Sequence, residues 1–461
     1  MHHAATFDLV IHGDIVLEDG SIIENGWLGI TDGTIQAISQ IALAGRDFLD
    51  AQNRLVLPGV IDAHVHTRSD PDEGIEATTR AAAAGGATTI IDMPFDSPRR
   101  PVRDVETLIR KIADVEREAI VDVGLYATFR PAGRLDEIAR LADAGAVGFK
   151  VSLYGVDPER FPRIPDSQLV DAFHVIAKTG LPVAAHQENQ EIVDAAVQNL
   201  RRQDKTSAIY HARSRPPVSE AEAAGRLLEF AHWTGARLHM IHGTIPRTFD
   251  LMSWHRTTGT TATGETCLQY LVLNEEELEK LGGRAKCNPP LRTSSDAAAL
   301  WQQLDDGQID IVTSDHSPYA LEKKETQNIF EALAGMPGVA TLLPVLYSEG
   351  VATGRLTLRR LVEILALRPA EIFGFSRKGR IRLGCDADLA IFDPEVSYRL
   401  AENQLHQRVN WSPYQGRTVT GRVVTTLLRG KRIYDGDTVQ EQHKYGQFVR
   451  PNRSYTPEET T

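Results

Sequence analysis

The run Leu57-Pro58-Gly59-Val60-Ile61-Asp62-Ala63-His64-Val65-His66 decides the fold. A Pro-Gly turn opens an apolar stretch of strand type, and the stretch closes on two histidines separated by one residue. Side chains alternate along a strand, so His64 and His66 share a face and can grip one metal ion from the strand's end. A bare His-x-His pair is also the mark of two ordinary half-buried imidazoles, and only the surrounding sequence separates the two readings.

Downstream of this run, short apolar segments alternate with helical ones. Strand candidates fall at 60–66, 87–93, 120–126, 147–151, 181–186, 237–241, 261–265 and 309–314, eight in all. Asp104 can cap a helix over 105–117, and Ser219 with Glu222 reads as a capping box for a helix through Phe230. Eight βα units in one run predict an α/β chain built on a (β/α)8 TIM barrel, with a long excursion over 266–305 between the seventh and eighth strands. A doubly wound open sheet is the alternative.

Outside the barrel the rhythm is antiparallel. Residues 7–39 alternate short β-type runs with the turn pairs Asp19-Gly20 and Asp32-Gly33. Beyond a helix-type segment at 357–373, β character returns at 378–381, 387–392 and 421–428. Neither flank has strands enough for a core of its own. We therefore expect residues 1–56 plus 376–445 to form one small composite β-sandwich domain beside a catalytic barrel of 57–375, with 446–461 as a C-terminal tail that frays over 454–461.

Composition limits the function classes. The 461 residues exceed what a single core usually supports, and 42% hydrophobic with 24% charged residues is ordinary for a globular protein. A net charge of -12, with only Arg99, Arg100 and Arg103 clustering locally, argues against nucleic acid as a partner. Cys267, Cys287 and Cys385 make no Cys-x-x-Cys pair and no disulfide framework, which points to a reducing, cytoplasmic compartment. The N-terminal residues lack a signal-peptide pattern, and nowhere do eighteen apolar residues run together, so no membrane span is expected.

In such a barrel the chemistry gathers where strands end. Strand one ends at His64 and His66, strand four carries Lys150, strand five ends at His186, and His242 and Asp315 follow strands six and eight. Each has an ordinary explanation alone: core imidazoles, a helix cap, a snorkelling lysine. Their joint placement at strand ends favours a metal site. Lys150 is the odd member, because an ammonium repels cations. Desolvated within Ala146-Val147-Gly148-Phe149-Lys150-Val151, it would be neutral enough to add carbon dioxide, and the resulting carbamate offers two oxygens to bridge two metals.

With these residues in place the chain resembles the binuclear amidohydrolases that open cyclic amides: hydantoinases, dihydropyrimidinases, allantoinases and dihydroorotases. The resemblance covers nearly the whole chain and rests on 57–66, Gly148-Phe149-Lys150, His186-Gln187-Glu188-Asn189, Ser314-Asp315-His316-Ser317-Pro318 and Gly384-Cys385-Asp386-Ala387-Asp388-Leu389. It implies two divalent ions per chain, one held by His64, His66 and Asp315, the other by His186 and His242, with carboxylated Lys150 bridging both. Zinc is the default for such ligands, with manganese, cobalt or nickel able to substitute. A hydroxide shared by the two ions would attack the ring carbonyl, and Asp315 would carry the proton to the leaving nitrogen. Tyr154 stands near the place of an oxyanion-binding tyrosine, one residue short of its usual offset. Homotetramers are common in such a family.

The same resemblance bears on the ring. Arg68 occupies a dihydroorotase-like position, but Met93-Pro94-Phe95-Asp96 sets Phe95 where dihydroorotases carry an Asn that helps seat a carboxylate. The segment Lys286-Cys287-Asn288-Pro289-Pro290 looks like a substrate-backbone loop with Asn288 in place of Ser or Ala, and Gln269 in Cys267-Leu268-Gln269-Tyr270 is closer to hydantoinases than to allantoinases. The resulting expectation is an enzyme that opens a small cyclic amide, hydantoin or allantoin in type, with Arg68, Phe95, Gln269 and Asn288 as substrate-side residues. Dihydroorotase or dihydropyrimidinase activity, a non-enzymatic assembly protein and a mononuclear deaminase are the alternatives.

Overall fold

The computed structural model describes residues 7–70, 73–96, 101–401, 404–440 and 444–453. Arg99, Arg100 and the frayed end expected at 454–461 lie outside the described residues.

Four strands precede the barrel: β1 (Phe7–Val16), β2 (Ile22–Thr31), β3 (Thr34–Ser39) and β4 (Gly45–Pro58). The barrel is built from β5 (Val60–Val65), β6 (Ala87–Asp92), β7 (Asp122–Ala127), β8 (Gly148–Ser152), β9 (Pro182–His186), β10 (Arg237–Met240), β11 (Ala262–Cys267) and β12 (Ile311–Thr313). Three more strands follow it, β13 (Leu389–Arg399), β14 (Thr418–Leu428) and β15 (Lys431–Tyr434). All eight expected barrel strands are present, each within about two residues of its expected bounds, an offset ordinary for strand ends.

The eight strands pair in chain order, in parallel wherever register is defined, and helices cover them. With both faces of a parallel sheet covered, almost every strand residue is buried, which is why these strands read as apolar runs rather than alternating ones. Ile61, Ala63, Ile91, Tyr126, Val147, Ala184, Ile241 and Ile311 fill the barrel's interior together with Phe373 and Phe375. The ring closes beyond the short β12. There Val65 bridges His316, the His66 amide donates to the His316 carbonyl at 2.8 Å, and the Ser314 hydroxyl donates to buried Asp62 at 2.5 Å.

The flanking strands form one sheet in the order β15-β14-β13-β4-β1-β2-β3, in which β4 pairs in parallel with β1 and antiparallel with β13. Ile15 of β1, Leu28 of β2, Ile35 of β3, Val56 of β4, Ile391 of β13 and Leu427 of β14 meet in one apolar cluster, which a flat sheet could not bring together. Both expected hairpins form, joining β1 to β2 and β2 to β3.

Two local expectations give way. The helix expected from a Ser219–Glu222 capping box begins earlier, at Pro217, because proline is pre-shaped for a first turn; Ser219 lies inside it, donating to the Pro216 carbonyl. The stretch 378–381 is a turn rather than a strand, and it delivers the Lys378 ammonium to Asp122 and Asp388 at 2.6 Å each. The excursion at 266–305 is largely helical, with helices Leu268–Val272, Glu275–Leu281 and Ser294–Asp305. The Asp104 cap forms as expected, with its carboxylate accepting from the Thr107 amide at 2.8 Å ahead of the helix Val105–Glu118. Residues 446–453 run against the barrel, where Gly446 and Val449 donate to the Ala119 and Val123 carbonyls and Asn452 donates to that of Gly374.

Candidate metal centre

The strand that opens the barrel slips in register against β6 between Asp62 and Val65. Past that irregularity both histidines reach one carboxylate: His64 Nε2 and His66 Nε2 lie 3.2 and 3.5 Å from Asp315 Oδ1. Ligand atoms of His64, His66 and Asp315 all fall within 4.8 Å of one another, a spacing that one cation can satisfy. Asp315 itself has a left-handed backbone (φ 45°), a conformation Asp tolerates better than most residues and one common at functional positions.

On the other side of the cleft His186, closing β9, turns Nδ1 toward His242 Nε2 at 3.0 Å. Two imidazole nitrogens that close share a proton or a cation. Burial, reinforced for His242 by the neighbouring His186 and Lys150, pushes both histidines below their ordinary value, so a shared proton is disfavoured. The His242 backbone is also left-handed (φ 39°), and its buried Nδ1 has no hydrogen-bond partner among the described residues. The ring centroids of His64 and His242 are 5.4 Å apart, so the two halves form one cluster.

Lys150, on β8, is 2% exposed and lies over the Phe161 ring at 5.5 Å. Burial takes its amine down to about 7, against the opposing pull of Asp315 and Glu265. Burial resists ionisation of Asp315 as well, but His64, His66 and Lys150 outweigh it and hold the carboxyl below the ordinary range.

These residues line a cavity of about 400 Å³ together with Ser69, Phe161, Asn288, Tyr319 and Gly335. Asn288 faces it with a buried Oδ1 that has no hydrogen-bond partner among the described residues. The other candidates sit elsewhere. Arg68 points away to Asp114 at 2.8 Å and to Glu118 at 3.5 Å, Phe95 packs on Phe161 with centroids 4.1 Å apart, and Gln269 is buried in the helix Leu268–Val272, outside the cavity lining. Tyr154 lies beside the site, its ring 6.4 Å from that of His186 and capped by the Arg215 guanidinium at 4.6 Å.

Two buried carboxylates that sequence reasoning passed over steady the imidazoles. Glu265 accepts from His64 Nδ1 at 2.5 Å and faces His239 at 3.3 Å. Glu188 lies 2.7 Å from His186 Nε2 and pairs with Arg215; burial opposes its ionisation, but Arg215 and His186 hold it down to about 2. Such partners fix ring orientation and raise a ligand's basicity. Glu265 had a signal, being a charged residue inside a buried parallel strand.

The donors include three imidazoles, His66, His186 and His242, that burial holds below their ordinary value, an Asp315 carboxylate held ionised and a buried lysine whose amine is lowered to about 7, and with His64 they fit divalent transition metals. Imidazoles and a carboxylate converging at the strand ends of a (β/α)8 barrel define a barrel of the metal-site class. More particularly, residues 55–433 match the amidohydrolase family, and the chain belongs to it. It is 38% identical over 454 residues to an allantoinase of Rubrobacter xylanophilus, covering 97% of this chain and 99% of that one, and 35% identical to an allantoinase of Bacillus licheniformis, covering 96% and 99%. Among solved structures it superposes on an L-hydantoinase (dihydropyrimidinase) from Arthrobacter aurescens with a TM-score of 0.93 at 33% identity, covering 96% of this chain and 100% of that one.

Proposed function

We propose that this chain hydrolyses a ring carbon–nitrogen bond of a cyclic ureide, with allantoin as the leading substrate and a hydantoin as the second. The observation that carries the reading is the convergence of His64, His66, His186, His242, Asp315 and buried Lys150 on one cavity at the barrel's strand ends. The allantoinase relatives favour allantoin, and the L-hydantoinase superposition favours the hydantoin.

His64, His66 and Asp315 would hold one divalent ion and His186 with His242 a second, with Lys150 joining both as a carbamate; zinc is the first choice, then manganese, cobalt or nickel. When bound, the ions supply Lewis acidity that polarises a ring carbonyl and acidifies water. Asp315 would accept a proton from the attacking water and return it to the ring nitrogen as the bond breaks, a role that its carboxylate, held ionised at the cavity, supports. Asn288 would offer its amide oxygen, without a partner among the described residues, as an acceptor for a ring N–H. Glu265 and Glu188 keep the imidazoles oriented, and Phe161 with Tyr319 gives the ring flat walls. Tyr154 would donate to the developing oxyanion only after leaving Arg215.

Among the described residues no helix is long and apolar enough to cross a membrane, and the three cysteines are free and buried, which suits a reducing cytoplasm. A homotetramer is the assembly proposed. The deciding experiment is a panel of allantoin, hydantoins, dihydropyrimidines, dihydroorotate and cyclic imides, read by ring opening with metal content measured on the same protein. Ring opening confined to allantoin settles the leading substrate. No opening of any ring by metal-loaded protein refutes the reading.

A further inference from the structure

Two buried lysines lie beside the cavity and take no part in the chemistry above. Lys324 is fully buried, and its ammonium donates to three carbonyls: Lys286 at 3.0 Å, Leu333 at 2.6 Å and Gly335 at 2.7 Å. Lys286 donates to two more, Ile329 at 2.7 Å and Ala332 at 2.5 Å. Among the described residues neither lysine forms an ion pair; backbone carbonyls hold both, with the Trp411 ring 5.9 Å from Lys324 Nζ, and burial pulls both amines down to about 7, so their protonated forms depend on those bonds. A buried ammonium is tolerated only when its donors are used, and here all three of Lys324's are.

The five carbonyls belong to two segments that meet at the cavity. One carries Lys286 and, two residues on, Asn288; the other, 329–335, contributes Leu333, Ala334 and Gly335 to the cavity's wall. The Gly335 amide also donates to the Lys286 carbonyl at 2.9 Å, and a Cβ on Gly283 would come within 1.8 Å of the Lys324 carbonyl, so the packing leaves no slack. Beyond this wall the Ser317 amide donates to Met336 and the Gly338 amide to His316, which ties the same loop to the Asp315 turn.

We propose that Lys324, seconded by Lys286, is a positioning residue for substrate binding: it clamps the Asn288 segment to the 329–335 wall and so sets the width of the cleft that receives the ring. The inference rests on the ring-opening reading for its substrate and on the observed hydrogen bonds for its clamp. Its effect falls on binding rather than on the bond-breaking step, because neither lysine reaches the metal-binding side chains.

The test uses the metal-loaded full chain, with Lys324→Met and Lys286→Met compared with the parent by hydrogen exchange and by steady-state kinetics on whichever ring the parent opens. In Lys324→Met the amides of 329–335 should exchange about tenfold faster. Its KM should rise about tenfold while kcat stays within about threefold, the signature of lost uniform binding. Lys286→Met should shift both in the same direction, and it carries the test if Lys324→Met does not fold. Unchanged exchange overturns the clamp, and faster exchange with unchanged KM overturns the positioning role. A fall in kcat with KM unchanged overturns it too. A parent that opens no ring refutes the functional reading instead, and the exchange data then decide the clamp alone.

Discussion

At pH 7 burial leaves the Lys150 amine about half uncharged, since its pKa falls from 10.5 to about 7, whereas an exposed lysine is uncharged in roughly one molecule in three thousand. Only the uncharged amine adds carbon dioxide, so this burial makes the proposed carbamate accessible at neutral pH. Lys150→Ala removes the group without filling the space. It should leave less than one tightly held metal ion per chain and lower ring opening by roughly a thousandfold or more, the several kcal/mol that Lewis-acid stabilisation supplies. Lys150→Arg should fail alike, because guanidinium stays charged and repels cations. A pH signature separates the carbamate from plain packing. Reloading of metal-stripped protein with zinc and bicarbonate should slow about tenfold per pH unit below 7 and level off above it, as the uncharged fraction does. The assays are elemental analysis of the purified protein and chromatography of the opened product. Full metal content with full activity in Lys150→Ala would refute the reasoning.

Asp315→Asn should fold, since Asn also tolerates the left-handed backbone at that turn, yet kcat should drop by about 10²- to 10⁴-fold with the loss of its proton carrier; near-parental turnover would remove Asp315 from that role. Glu188→Gln strands the buried Arg215 charge and should destabilise the fold by about 3 kcal/mol in denaturant titration. Because Glu188 is held down to about 2, the parent carries this stabilisation above the ordinary carboxylate range near 4.5 and loses it as pH falls toward 2, and the variant should show no such increment. Arg68→Met should leave KM within about twofold and lower stability by about 1 kcal/mol at most, as expected for a partly exposed ion pair; a large rise in KM would return Arg68 to the substrate.

The barrel was legible because its strands are short, mostly apolar runs alternating with helical segments, so His64, Lys150, His186, His242 and Asp315 stand out in or just beyond them. The Asp104 cap and both hairpins were legible for a similar reason, each being set by residues within a few positions of one another. What escaped is decided at long range. Arg68 is claimed by Asp114, 46 residues along the chain, a destination no local pattern encodes. The stretch 378–381 has strand-like composition, but the pull of Asp122 and Asp388 on Lys378 turns it. Ser219 and Glu222 have the spacing of a capping box, and Pro217 starts the helix before they can serve. Glu265 acts through His64, 201 residues away, and its role appears once those strands are side by side; Glu188 is two residues from His186, but the Arg215 that holds it ionised is 27 residues on.

The run from Leu57 to His66 also forms a joint. Strand β4 belongs to the small sheet as far as Pro58 and β5 belongs to the barrel from Val60, so Gly59 alone separates them, its amide held by the Asp388 carbonyl at 2.8 Å and its missing side chain ceded to Thr88. No slack linker lies at this crossing. A load applied to the N-terminal strands is therefore transmitted straight into the strand that carries His64 and His66, and the small sheet cannot peel away without dragging on the ion they would hold. Metal release thus becomes a gauge of the sheet's integrity: under mechanical or chemical stress, the ion should depart as the sheet parts from the barrel.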